Sequence, residues 1–478
     1  MTTCNCDIDR LLLCNDVDIL ITGAQKQTDT LTGKSYMAYT IRLGNVETRH
    51  RYSEFESLRK ALVRLYPTVI VPPIPEKHSL ADYAALQTRV KDDMPMVEKR
   101  KRMLQSFLVR VARHPTLGRD HVFHQFLEDG VVWADVLHSP PLSMLAKNPL
   151  QTIVSKEQQQ QADLQADRII LSSNLIPIPS PTYVLKSPDE RFEESERFTF
   201  RIANYMSNNL DKSQRKVIRR LGELANDYAE LGAVYNGFSL NESDQVANAI
   251  EKIGQAVDAS YMETAQMVTS LEGEFAEPIQ EHSQFAQIIK QVLRFRHMKH
   301  AQVEMIETCL ENKKATLENL QNMEQEARRL EEAISRERTI GANAVDIDQL
   351  NDPSSHDNMP TTTRRPPPTW SDPVRLLQAL GYSLQNMIDV DPTATRRNQI
   401  GKTKDAMDVL QQALEITRKD LAGASLDLQA ELDRFQHEKI KDLRNMLIAY
   451  AKVHIQYCKQ NLGSWQEARA EIDKIPSS

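Results

Sequence analysis

Hydrophobic and polar positions alternate with a period of two at the start of the chain. Val17-Asp18-Ile19-Leu20-Ile21 and the run from Ser35 to Leu43 predict two strands, joined by a polar turn through Thr30, Gly33 and Lys34. The period then lengthens. Phe55, Leu58 and Leu62 share one helical face, with Ser53 as the expected cap and Glu56 three residues on as its partner. Arg51 and Tyr52 therefore fall where a strand ends and a helix begins. Pro72, Pro73 and Pro75 exclude helix and predict an extended, stiff arm that carries Lys77. Pro95 to Ala112 reads as an amphipathic helix with Met96, Leu104, Phe107, Leu108 and Val111 inward, and His121 to Leu127 as a short closing helix.

The pattern divides the rest of the chain. Residues 1–16 show no periodicity and are expected to be a disordered tail, and residues 17–131 form the first domain. Residues 132–188, punctuated by Pro140-Pro141, four consecutive glutamines and Pro177-Ile178-Pro179-Ser180-Pro181, read as a linker. From residue 189 to 475 the spacing is helical. Val217, Leu221, Leu224, Tyr228, Leu231 and Tyr235 step by four and three, a coiled-coil seam. Gly237 to Asp244 suggests a break, and Pro278 suits the first turn of a further helix. The segment from about 339 to 372, rich in Thr and Pro, predicts a disordered insertion. A short helix is expected around Pro373 to Met387, and a long one from about Lys402 to Ile472. Such helices leave apolar faces that need a partner.

Composition refines this picture in two places. The 478 residues carry a net charge of -7 with 26% charged residues, and the mean hydropathy is -0.50. This favours long solvated helices and argues against general nucleic-acid binding, so any basic surface must be local. The five cysteines (Cys4, Cys6, Cys14, Cys309, Cys458) make no Cys-x-x-Cys pair, which points to a reducing compartment and no metal. No stretch approaches the length of a membrane span, so any membrane contact is expected to be peripheral.

Candidate chemistry is sparse. Gly33-Lys34-Ser35 lacks the glycine that a nucleotide-binding loop needs five residues earlier, where Thr28 stands. No catalytic set is evident, and an enzyme is not expected. At the strand–helix junction, the Arg51 guanidinium suits bidentate contact with a phosphate, and the Tyr52 ring suits stacking on a sugar-like ring. A second basic feature is the run Lys290, Arg294, Arg296, His297, Lys299 and His300, with no acid between Glu281 and Glu304. It reads either as a cationic face or as a stripe that pairs with acids on a neighbouring helix.

Arg51-Tyr52-x-x-Phe55, Pro72-Pro73-Ile74-Pro75-x-Lys77 and Glu98-x-Arg100-x-x-x-Leu104-x-x-Phe107-Leu108 together resemble the phox-homology (PX) domain, an α+β fold with a three-stranded sheet plus helices. The resemblance implies that Arg51 holds a 3-phosphate, Tyr52 stacks on an inositol ring, Lys77 meets the 1-phosphate and Arg100 bonds the ring hydroxyls. Glu277 to Phe285 running into Leu293-Arg294-Phe295-Arg296-His297-Met298-Lys299-His300, with Asp442 to Trp465, is similar to the all-α, three-helix BAR domain of sorting nexins. The insertion and Leu376 to Tyr382 resemble the fungal, autophagy-linked branch of that family, whose members carry a longer leader, which implies a shortened form here. The resemblance implies a cytoplasmic adaptor, peripheral on the endosome membrane, that binds phosphatidylinositol 3-phosphate. The family pairs as a homodimer or as a heterodimer with another sorting nexin, with Arg294, Arg296 and Lys299 expected to face a curved endosomal membrane. Its roles are endosomal retrieval, cytoplasm-to-vacuole transport and selective autophagy. No cofactor and no nucleic acid are implied. The rival reading is a coiled-coil scaffold without lipid specificity.

Overall fold

The computed structural model describes residues 6–14, 18–28, 33, 35–76, 93–146, 148–151, 177–342 and 392–476. Lys77, most of the expected insertion and the expected helix from Pro373 to Met387 lie outside these residues.

The first domain is a three-stranded antiparallel sheet covered by helices, with strand order β1-β2-β3. The strands are β1 (Ile19–Thr28), β2 (Ser35–Leu43) and β3 (Val46–Arg51). A register shift interrupts the first pairing between Ile21 and Gly23. Leu43 pairs with Val46, so Gly44 and Asn45 form a two-residue hairpin turn, and Gly44 supplies the positive φ of 58° that the turn needs. Helix α2 (Tyr52–Leu65) follows β3 without a loop. Helix α3 (Asp93–Arg113) comes next, then α4 (His121–Leu127), capped by the Asp120 carboxylate accepting from Val122 N–H at 2.7 Å. The core joins Tyr39, Ile41 and Leu43 of the sheet to Phe55, Leu58 and Leu62 of α2, with Leu104, Phe107, Phe123 and Phe126 of the later helices.

This core reaches past the expected boundaries at both ends. In place of a disordered tail, Asp7–Leu13 forms a helix, α1, and its Ile8 is 3% exposed within the core. Beyond residue 131, α5 (Trp133–His138) also packs inward, and Trp133 Nε1 donates to Ser57 Oγ at 2.7 Å. Both segments are too short to show a period, so only burial reveals them.

The remaining chain is helical. Helices α6 (Glu190–Asn204), α7 (Lys212–Ser239) and α8 (Asp244–Leu271) lead into α9 (Glu277–Ala342), and α10 (Pro392–Ile472) closes the chain. Pro278 sits in the first turn of α9, directly after a π-helical turn over Glu272–Ala276. A proline has no N–H to continue the ladder, and a widened turn absorbs that loss. Two compact units emerge: residues 1–159, 180–301 and 419–478, and residues 160–179 with 302–418. In the second unit, Glu324 accepts from Arg397 at 3.1 Å and Glu307 accepts from Arg418 at 2.5 Å.

Within the first unit, α3 is stitched to α9 and α10 along one face. Positions 102, 106, 110 and 114 recur every four residues and so share that face. Arg102 donates twice to Glu277, Ser106 and Arg110 donate to Glu281, and His114 meets Glu431 at 3.1 Å. Large apolar side chains of α7 (Val217, Leu224, Leu231, Val234) and α10 (Leu447, Ile455, Leu462) remain exposed.

Candidate functional site

Arg51 is the last residue of β3 and the residue that precedes α2. The helix therefore starts earlier than the Ser53 cap implied. Glu54 does the capping: its Oε2 accepts from the Arg51 backbone N–H at 3.2 Å and lies 2.9 Å from His50 Nδ1. Burial works to raise the Glu54 carboxyl, but the His50 and Arg51 hydrogen bonds outweigh it and hold the group below its ordinary range. His50 is fixed from the other side by Phe126, whose carbonyl lies 2.7 Å from Nε2 and whose ring stacks at 3.9 Å. The junction is thus rigid, and the Arg51 side chain projects from it half-exposed, 3.3 Å from Glu54 Oε1.

Arg51 opens onto a cavity of about 280 Å³ lined by Gln27, Thr28, Tyr36, Ala38, Arg49 and Glu54. Sheet register explains the set. Arg51 pairs with Ala38, and Arg49 and Tyr36 stand two positions along their own strands on the same face. Gln27 pairs with Tyr36 and accepts its hydroxyl hydrogen bond at 3.1 Å. The Arg51 guanidinium lies 6.0 Å from the Tyr36 ring centre. Two arginines lining one cavity, one of them over the Tyr36 ring, suit an anionic, multiply oxygenated group. Arg49 was not among the expected site residues, although the strand alternation Arg49-x-Arg51 carries the signal that puts both on one face.

Tyr52 and Arg100 come together, and Arg100 lines a second cavity. The Arg100 guanidinium lies 5.1 Å from the Tyr52 ring centre. The Tyr52 hydroxyl donates to the Pro75 carbonyl at 2.5 Å, and Arg59 Nε donates to the Pro72 carbonyl at 2.9 Å, so α2 anchors the proline arm. Burial raises the Tyr52 hydroxyl above its ordinary value and keeps it a donor, with Arg100 pulling the other way. Pro75, Glu76, Lys99, Arg100 and Arg102 line this cavity. The crowding of cations around Arg100 resolves itself: Lys101 pairs with Glu98 at 3.4 Å and Arg102 with Glu277, while Arg100 faces Tyr52.

The second basic run is corrected by the fold. Arg294 is exposed, but Arg296 is 6% and Lys299 2% exposed. Arg296 donates to Asp189 at 3.0 Å and to Ser425 at 3.1 Å, over the Phe192 ring at 3.9 Å. Lys299 Nζ donates to Asp420 at 3.5 Å and to the Leu150 carbonyl at 3.3 Å. Successive helix positions turn by 100°, so the three cations cannot share one face, and two of them turn inward to acids. Arg296 and Lys299 hold the connector and α10 against α9 and do not face outward, and of the three Arg294 alone stays exposed.

Comparison with known proteins gives the family. Residues 38–130 match the PX domain family model. Sorting nexin-41 of Cryptococcus neoformans var. neoformans is 43% identical over 98% of this chain and 74% of its own length. Autophagy-related protein 20 of Gibberella zeae is 33% identical over 98% of this chain and 86% of its own. A cryo-EM structure of the SNX-BAR Mvp1 tetramer aligns with 94% of this chain and 99% of its own at a TM-score of 0.49 and 13% identity. The chain is a PX-domain protein with a long helical region. It belongs to the sorting nexin family, and it is similar to the members called sorting nexin-41 and autophagy-related protein 20.

Proposed function

We propose that the chain is a peripheral membrane adaptor, not an enzyme, that recognises phosphatidylinositol 3-phosphate on endosomes through its PX domain. It dimerises through a BAR-like helical region and acts in endosomal sorting and retrieval and in selective autophagy, including cytoplasm-to-vacuole transport. The observation that carries the reading is the half-exposed Arg51 guanidinium, held by a rigid strand–helix junction at the mouth of a polar cavity within a matched PX domain. A headgroup phosphate would take the place that Glu54 holds beside Arg51. Tyr52 and Arg100 would receive the ring, and Lys77, outside the described residues, the 1-phosphate. The exposed apolar rows of α7 and α10 support dimerisation, since large patches on a lone chain mark an interface. Among the described residues no helix is long and apolar enough to cross a membrane, which suits peripheral attachment. The names of the relatives above supply the sorting and autophagy parts of the proposal.

Vesicle sedimentation tests it. Arg51→Ala should lower binding to vesicles bearing phosphatidylinositol 3-phosphate by at least about tenfold, since charged hydrogen bonds contribute ~1.5–3 kcal/mol each. Its circular dichroism should match the parent. Equal binding of the parent to vesicles of the same charge lacking the 3-phosphate would favour the scaffold reading.

A further inference from the structure

We propose that Cys6, His121 and His124 form a zinc(II) site that ties α1 to α4. Cys6 immediately precedes α1, and His121 and His124 stand three positions apart on α4. The ligand atoms of the three side chains all lie within 4.8 Å of one another. Cys6 Sγ is 3.3 Å from His124 Nδ1, although the two residues are 118 positions apart. Zinc–sulfur bonds of about 2.3 Å and zinc–nitrogen bonds of about 2.0–2.1 Å in a tetrahedron put neighbouring ligand atoms ~3.3–3.6 Å apart. The Cys6–His124 pair already has that separation, and a ring nitrogen of the exposed His121 completes the cluster within 4.8 Å.

His124 is prepared for this role. Its ring is wholly buried, and Nε2 donates to the Gly118 carbonyl at 2.9 Å, with Asp9 Oδ1 3.8 Å from the same nitrogen. The proton is thereby held on Nε2, and the Nδ1 lone pair is aimed at Cys6. A carbonyl or carboxylate behind the imidazole is how proteins orient metal-bound histidines. One thiolate and two imidazoles make a borderline-soft donor set that suits zinc over magnesium or calcium, with a fourth position for solvent. Binding takes the Cys6 thiolate, so each ion bound releases the thiol proton to solvent. The site would pin a helix that is already seated through Ile8. Sequence spacing hid it, because cysteines at one end of the domain and a His-x-x-His pair at the other form no recognised motif.

The competing account is a thiol donating to His124 Nδ1, which needs no metal. Titration of the full-length chain separates the two. The reduced, chelator-stripped protein is titrated with zinc(II) against a chromogenic chelator, and with cobalt(II) while thiolate-to-cobalt absorption is followed. One ion per chain and a charge-transfer band are expected. Cys6→Ser and His121→Asn should each weaken zinc binding at least tenfold, and Cys6→Ser should abolish the band. His121 is exposed, so its variant keeps the fold whatever the buried positions do. Cys14→Ser, also exposed, should change neither. No zinc uptake by the folded parent, or unchanged affinity in Cys6→Ser, overturns the proposal and leaves the thiol–imidazole hydrogen bond.

Discussion

Arg110 grips Glu281 with both arms of its guanidinium, Nε at 2.8 Å and Nη2 at 2.9 Å. Nη2 also reaches Asp442 at 2.8 Å, so one side chain of α3 binds α9 and α10 together. Burial works against the charged guanidinium, but the two carboxylates outweigh it and hold Arg110 well above its ordinary pKa. The PX domain is thus docked by charge as well as by packing. Arg110→Ala leaves two partly buried acids without their cation, and a cost of about 3–5 kcal/mol is expected. Chemical denaturation checks this, and an unchanged midpoint would show the triad to be dispensable.

A second dock is pH-dependent. His114 Nδ1 accepts the N–H groups of Thr116 and Leu117, both at 3.1 Å, so its Nε2 carries the proton and donates to Glu431. Ile70 N–H and Arg434 donate to the same carboxylate. Burial alone would raise the Glu431 carboxyl, yet the His114 and Arg434 hydrogen bonds bring it from 4.5 down to about 2. A depressed carboxyl stabilises the fold fully above its unfolded value, here about 4.5, and that contribution fades as pH falls towards 2. The drop corresponds to ~3 kcal/mol at neutral pH. The stability gap between the parent and Glu431→Gln should be constant from pH 7 to 5 and shrink between pH 4.5 and 2. A gap that does not change with pH would remove the carboxylate from the account.

Gly118 is held by a backbone constraint. A Cβ there would stand 2.1 Å from the Ala112 carbonyl oxygen, which is backbone and cannot swing aside. Gly118→Ala must therefore shift the turn between α3 and α4, whose Gly118 carbonyl also accepts from His124. A loss of about 1–3 kcal/mol is expected, read as a lowered thermal midpoint. Parent-like stability would mean that the turn gives way freely.

Much of this was legible in the chain. The alternation through Tyr39, Ile41 and Leu43 and the spacing of Phe55, Leu58 and Leu62 located the sheet and α2, because amphipathic elements carry their period openly. The Arg51–Tyr52 junction came from the change of period. Three features were hidden. The seven residues of α1 and six of α5 are too short for a period to show. The capping role of Glu54 depends on His50 and Phe126 arriving from β3 and α4, a tertiary fact. The direction of each cation in the basic run depends on acids at Asp189 and Asp420, far away in sequence.

Lys299 and Asp420 are 2% and 7% exposed, and burial lowers the Lys299 ammonium below its ordinary pKa while Asp420 pulls it up. Lys299→Met takes the lysine from Asp420 and should cost about 3–5 kcal/mol. Lys299→Met combined with Asp420→Asn removes both charges and should recover a large part of that loss, since a buried pair exchanged for neutral groups is often close to neutral. Arg294→Glu, on the exposed face, should leave stability within about 0.5 kcal/mol. It should also weaken binding to anionic vesicles, by roughly 1 kcal/mol for the lost charge and more for the reversal, in a manner that salt suppresses. Denaturation and vesicle sedimentation on the same three proteins separate the roles. A Lys299→Met protein as stable as the parent that nonetheless leaves the vesicles would return Lys299 to the membrane face.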